Sequence, residues 1–170
     1  MPTKIPVFVS APTKLNRDQQ LSYDKIITLL DHENLERRAL GRSEYPTEYP
    51  LKEVYLIARH CSGGMILGYS QSIARQLEIK PGTVEPKTLT DIKLPTPWNQ
   101  LEAGILFSLR LPLMVFREEG VSGGVFDNGV SDAFINPLPV GRIGKKEEEK
   151  IRLSIQTWGG RVRDHYRQWK

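Results

Sequence analysis

Short apolar runs alternating with segments of helical period constrain this chain most. IPVFVS (5–10), GMILGYS (64–70) and LPLMVFR (111–117) are too short for independent helices and carry little charge, so each reads as a buried strand. Between them lie stretches with helical spacing. Residues 17–31 keep Leu21, Ile27 and Leu30 on one face, and Asn16 with Gln19 three residues on supplies a capping-box start. Residues 51–61 place Leu51, Val54, Tyr55 and Ala58 at helical spacing, with Gly63 and Gly64 as the stop. Residues 96–110 form the clearest helix, with Thr96 as cap and Pro97 at its first position. A long amphipathic helix closes the chain over about residues 145–169, carrying Ile151, Ile155, Trp158, Val162, Tyr166 and Trp169; Gly159 and Gly160 are expected to interrupt or kink it.

LERRALG (35–41) reads as a polar edge strand and AFINPLP (133–139) as a last short one. Residues 71–95 form a long polar insert, of a length that is usually functional or carries small elements of its own. Strand and helix in alternation imply a mostly parallel sheet covered on both faces, and right-handed crossovers make it a flavodoxin-like, doubly wound α/β fold. The expectation is one domain over residues 1–170. A ligand crevice belongs at the carboxyl ends of the strands, in SAPTKLN, GRSEYP, GYSQ and REEGVSGG.

Composition narrows the function classes. The 170 residues carry 24 Lys and Arg against 20 Asp and Glu, a net charge of +4. That excess suits an anionic ligand, but no basic stripe interleaved with aromatics supports a nucleic-acid binder. No apolar stretch is long enough to cross a membrane, residues 1–10 turn polar too soon for a signal peptide, and Cys61 is the one cysteine; a cytoplasmic setting is expected. His60 and Cys61 adjoin and so point apart on a helix, and no cluster has metal-ligand spacing, so neither a Cys–His pair, a metal nor a cofactor is expected.

Glu102 is the sharpest candidate for chemistry. At about 100° per residue, Trp98, Ile105, Leu106 and Leu109 all fall within roughly 60° of it, which sets a carboxylate within an apolar stripe. A buried charge is costly unless paired or hydrogen-bonded. Either Glu102 meets a buried arginine or reaches water at the rim, or it is functional. Burial raises its pKa while the helix N-terminus lowers it. Other candidates carry two readings each. Ser10, after the first strand, is a loop serine or a contact to phosphate or ribose. Arg42 is a solvated charge or a phosphate ligand. Tyr69 and Trp98 are core aromatics or pocket walls, with Tyr69 positioned to stack on a base, and Asn99 lies beside Trp98 at the same rim. The segment GVSGGVFDNG (120–129) lacks both the P-loop lysine and the dinucleotide glycine order, and reads as a loop beside the crevice.

The stretch WNQLEAGILFSLRLPLMVF (98–116) resembles the glutamate-bearing helix and following strand of nucleoside 2-deoxyribosyltransferase-like proteins, and is similar also to that segment of bacterial Toll/interleukin-1-receptor (TIR) domains. VFVSAP and MILGYS fit the same order, so the likeness runs in outline from Pro6 to Phe116. It implies cleavage or transfer at the N-glycosidic bond of a nucleoside, a nucleotide or NAD, with Glu102 as the catalytic carboxylate. The transferases usually place an aspartate after the third strand and another shortly before the glutamate. Here those places hold Gly68, Tyr69, Ser70 and Gln71, and Thr96. An NAD-like substrate is less affected, because nicotinamide leaves as a neutral base and needs no acid, whereas a purine would want one; Asp127 and His60 are the candidates for that acid. The alternatives are a nucleotide-signal binding module without turnover and a TIR-like interaction domain that uses Trp158 and Trp169 toward a partner. A homo-oligomer is expected in each case.

Overall fold

The computed structural model describes residues 4–41 and 49–168. Arg42 and Trp169 lie outside the described residues. The chain runs β1 (Ile5–Ser10), α1 (Arg17–His32), β2 (Leu35–Arg38), α2 (Pro50–Ala58), β3 (Gly64–Gly68), β4 (Ser72–Ile79), β5 (Lys87–Leu94), α3 (Pro97–Ser108), β6 (Leu113–Arg117), a single 3-10 turn at Gly124–Phe126, β7 (Ile135–Pro137) and α4 (Lys145–Gln168). Five strands form one sheet in the order β2-β1-β3-β6-β7, and every pair in it is parallel. This is a flavodoxin-like, doubly wound sheet with β2 on an edge.

Strand parity divides the core. Val7 and Val9, Met65 and Leu67, Met114 and Phe116 point to one face, where α1 and α4 supply Ile26, Leu30, Ile155 and Trp158. Phe8, Ile66, Leu113 and Val115 point to the other, against Val54 and Ala58 of α2 and Ala103 and Leu106 of α3. Near-continuous apolar strands are what a sheet covered on both faces demands. The capping box at α1 forms as its sequence predicts: the Asn16 side chain accepts from Gln19 N at 2.8 Å, and Gln19 Oε1 accepts from Asn16 N at 3.2 Å. Asn16→Ala is expected to lower stability by about 1 kcal/mol, measurable by urea unfolding.

Three sequence expectations change, while the polar insert carries small elements of its own as expected. The strand expected over 35–41 ends at Arg38, and the helix expected over 51–61 ends at Ala58, because the chain must turn through Arg59 and His60 to enter β3. The polar insert is a two-stranded antiparallel hairpin, β4 with β5, joined to the five-stranded sheet by no strand pairing among the described residues. Helix α4 runs without interruption through Gly159 and Gly160, since burial of Ile155, Trp158, Gly159 and Val162 holds that segment against the sheet. Trp158 therefore faces the core: its indole Nε1 donates to Pro112 O at 2.9 Å. It is not offered to a partner.

Candidate functional site

In an open sheet of this order the crevice lies where the crossovers diverge, beyond the carboxyl ends of β1 and β3. Ser10 ends β1 there, almost wholly buried on the α2/α3 side. Helix α3 starts next to it. Thr96 caps the helix, its Oγ1 accepting from Trp98 N at 3.4 Å, and Pro97 occupies the first turn, where a missing N–H costs nothing. One turn in, Asn99 is fully buried and donates from Nδ2 to Ser10 Oγ at 2.7 Å. Glu102 follows three residues later, on the same side of the helix, with its half-buried carboxyl close to the Ser10 hydroxyl. Ser10, Asn99 and Glu102, three residues singled out by sequence, are thus brought together, the first two by a hydrogen bond.

Burial pushes the Glu102 carboxyl up from the ordinary 4.5 to about 7, with the nearby Ser10 hydroxyl opposing it. The sequence wheel had the apolar stripe centred on Glu102. The buried line is instead Asn99, Ala103 and Leu106, rotated by about 60°, so Glu102 sits on its flank. That rotation turns Trp98 outward, 41% exposed, rather than into the core. Among the described residues no buried arginine meets Glu102; desolvation and Ser10 act on it.

The raised value has a stability consequence. Between 4.5 and about 7 the native protein holds a proton that the unfolded chain has released, so this group's contribution to stability falls as pH rises through that window. Paired thermal melts of wild type and Glu102→Gln are expected to coincide near pH 4.5 and to separate above about pH 7, with the variant melting higher.

Other candidates lie elsewhere. Tyr69 shares the parity of Met65 and Leu67 and is buried on the α1/α4 face, its hydroxyl 3.0 Å from Ser22 Oγ and its pKa driven upward by burial. Its ring is not available to stack on a base. Asp127 is tied to Gly123 N at 2.8 Å, and His60 follows α2 at the amino end of β3, the far pole of the sheet from Ser10. The glycine-rich loop does reach α3: Gln100 donates to Gly123 O at 3.0 Å and accepts from Val125 N at 2.9 Å, while Phe126 packs against Gly68 where no side chain fits.

A second polar group went unnoticed in the sequence. Glu118, 8% exposed just beyond β6, accepts from Gln19 Nε2 at 3.0 Å and from Ser70 N at 2.9 Å, and Lys93 Nζ stands 3.5 Å from its other oxygen. The signal was present in REEG, a carboxylate directly at a strand's carboxyl end. Glu118 and Lys93 line a cleft of about 920 Å³ with Phe116, Leu138, Lys150 and Ile151, on the α1/α4 side. Its volume suits a small-molecule ligand. Glu102 is not among its lining residues. Among the described residues no helix is long and apolar enough to cross a membrane.

No family model matches the chain, and no curated protein matches it by sequence. Solved structures do match by shape. A CMP N-glycosidase from Clostridium botulinum, BcmB, superposes with a TM-score of 0.53 at 13% identity, over 87% of this chain and 98% of that one. The flavodiiron core of Flv1 from Synechocystis sp. PCC6803 gives a TM-score of 0.53 at 8% identity, over 95% of this chain and 36% of that one. At such identities the likeness is one of fold, and the chain shares with both the flavodoxin-like arrangement described above.

Proposed function

We propose that this chain cleaves or transfers at the N-glycosidic bond of a nucleotide or nucleoside, with Glu102 as its catalytic carboxylate. The observation that carries the reading is a half-buried glutamate on α3, close to Ser10 at the carboxyl end of β1, whose carboxyl burial pushes up to about 7. A carboxyl half-ionised near neutrality can donate a proton to a departing base, or stabilise or attack an oxocarbenium-like sugar once ionised. The fold neighbour that is a CMP N-glycosidase supports the same class of reaction. We favour NAD-like molecules, whose base leaves unprotonated and needs no second acid beside Glu102. Trp98, exposed beside Asn99, is the aromatic we assign to the substrate, and Arg42 the phosphate contact. The test is chromatography of NAD, CMP and a set of nucleosides after incubation with wild type and with Glu102→Gln. Base released by wild type alone supports the reading. No release by wild type at high enzyme concentration overturns it.

A non-catalytic nucleotide-binding module is the second reading. The observation in its favour is the large cleft bearing Lys93 and Glu118, which excludes Glu102. Tight binding of a nucleotide without turnover would distinguish it. In either case we propose a homo-oligomer, for which the open apolar groove of Leu51, Tyr55, Leu101 and Ile105 between α2 and α3 is the suited surface, and light scattering after gel filtration is the check.

A further inference from the structure

We infer that the cleft at the carboxyl end of β6 is a site for a nucleotide whose base carries an exocyclic amine, with Glu118 and Asn136 accepting from the amine and Lys150 of α4 meeting the phosphate. This gives a ligand chemistry to the cleft of the second reading, on which it rests, and uses no part of the Glu102 group.

Strand register sets the two acceptors on one face. Phe116 pairs with Asn136 in the parallel ladder, so their side chains share a face, and Glu118 and Leu138, each two residues further on, share it too. Phe116 and Leu138 place that face on the α1/α4 side. Glu118, 8% exposed, has Oε2 filled by Gln19 Nε2 at 3.0 Å and Ser70 N at 2.9 Å. Its Oε1 meets Lys93 Nζ at 3.5 Å, well beyond the roughly 2.7–2.9 Å of a strong charged hydrogen bond. Lys93 has a nearer acceptor in Glu119 O at 3.0 Å. Oε1 therefore keeps lone-pair capacity for a closer donor.

Asn136 is the second acceptor. Its Nδ2 donates to Val115 O at 3.1 Å and Phe134 O at 3.2 Å, which fixes the amide orientation. Its Oδ1 accepts no hydrogen bond among the described residues. Two unfilled acceptors on one face call for a group that donates twice, as an amine does and a carbonyl does not.

Helix α4 supplies the complementary chemistry. Lys150 and Ser154, one turn apart, both line the cleft, and among the described residues Lys150 makes no ion pair and Ser154 Oγ no hydrogen bond. Two other charged groups along the cleft are committed: Arg117 donates to Phe126 O at 2.6 Å, and Glu147 accepts from Gly144 N at 3.3 Å. An unpaired ammonium beside a hydroxyl suits a phosphate. Ile135, Val140 and Ile151 give the cleft apolar wall for the ligand's body, and about 920 Å³ is far more than an inorganic anion or a free amine needs.

The experiment is isothermal titration of CMP, AMP, UMP and IMP into Glu102→Gln protein, in which the ligand is not consumed, and into the same protein carrying Glu118→Gln or Lys150→Ala. CMP and AMP are expected to bind at least about tenfold more tightly than UMP and IMP, which present a carbonyl in place of the amine; this is the scale of one hydrogen bond to a charged group. Glu118→Gln sets an N–H where Oε1 stood and is expected to abolish or invert that preference. Lys150→Ala, at an exposed helix position that keeps the fold, is expected to weaken CMP severalfold and leave cytidine unchanged. Equal affinity for CMP and UMP, or a preference for CMP that survives both Glu118→Gln and Lys150→Ala, overturns the site. A nucleotide bound equally well by all three proteins keeps the binding-module reading and rejects this cleft as its location. Glu118-dependent binding in a protein whose wild type releases no base keeps the site and rejects only the glycosidase reading.

Discussion

Base release is expected to fall at least about a hundredfold in Glu102→Gln, the range for losing a positioned acid, base or electrostatic group, with the fold intact. Glutamine keeps the shape and hydrogen-bonding reach of glutamate. It loses the charge that would stabilise an oxocarbenium-like state and the proton that would assist a leaving base. Since burial already works against the Glu102 anion, the substitution leaves stability unchanged or raised near neutral pH, and lost activity cannot then be ascribed to unfolding. The pH profile of wild type goes further. If the base departs unprotonated, as nicotinamide does, the rate rises through about 7 as Glu102 ionises. If the base needs a proton from Glu102, the rate falls through the same value. The sign of that limb, read from initial rates between about pH 5 and pH 9, separates the two substrate classes by chemistry alone.

The largest effect on stability is expected at Trp158. Its indole is 4% exposed, donates to Pro112 O at 2.9 Å and lies with Val162 in the space a side chain at Gly63 would need. Truncation to alanine removes this packing, opens a cavity beneath α4 and takes from the Pro112 carbonyl one of its two donors, Gly64 N remaining at 3.0 Å, for a cost of about 3–5 kcal/mol. For a chain of this size that corresponds to a fall in Tm of roughly 10 °C, measurable by thermal denaturation. An unchanged Tm would mean that α4 does not pin the sheet through this residue.

What the sequence revealed, and what it hid, follows from how each signal is encoded. The limits of β1 and the start of α1 were legible because strand composition and the Asn16 and Gln19 cap are local properties. The hairpin was not, because its residues are exposed or only half-buried along both strands and no buried face imprints itself on Ser72–Ile79 or Lys87–Leu94. Glu102 was legible as a carboxylate among apolar residues. The wheel's rotation was not, since whether Trp98 or Asn99 turns inward depends on the partner surface rather than on α3. Tyr69 shows the same limit: alternation gives its parity with Leu67, but only the assembled layers tell which helices cover that face. Glu118 was hidden because its partners come from positions 19, 70 and 93, brought together solely by the sheet.

The hairpin interrupts the crossover from β3 to α3, and its two ends nearly meet. Gln71 N donates to Leu94 O at 2.8 Å, closing the ribbon at its base, and Lys93 anchors that base on Glu119 O at 3.0 Å. Chain entering and chain leaving are thus adjacent whether the ribbon is present, shortened or exchanged. Residues 72–94 therefore behave as a cassette. Its length can change without rebuilding the sheet that holds Ser10 or the helix that holds Glu102.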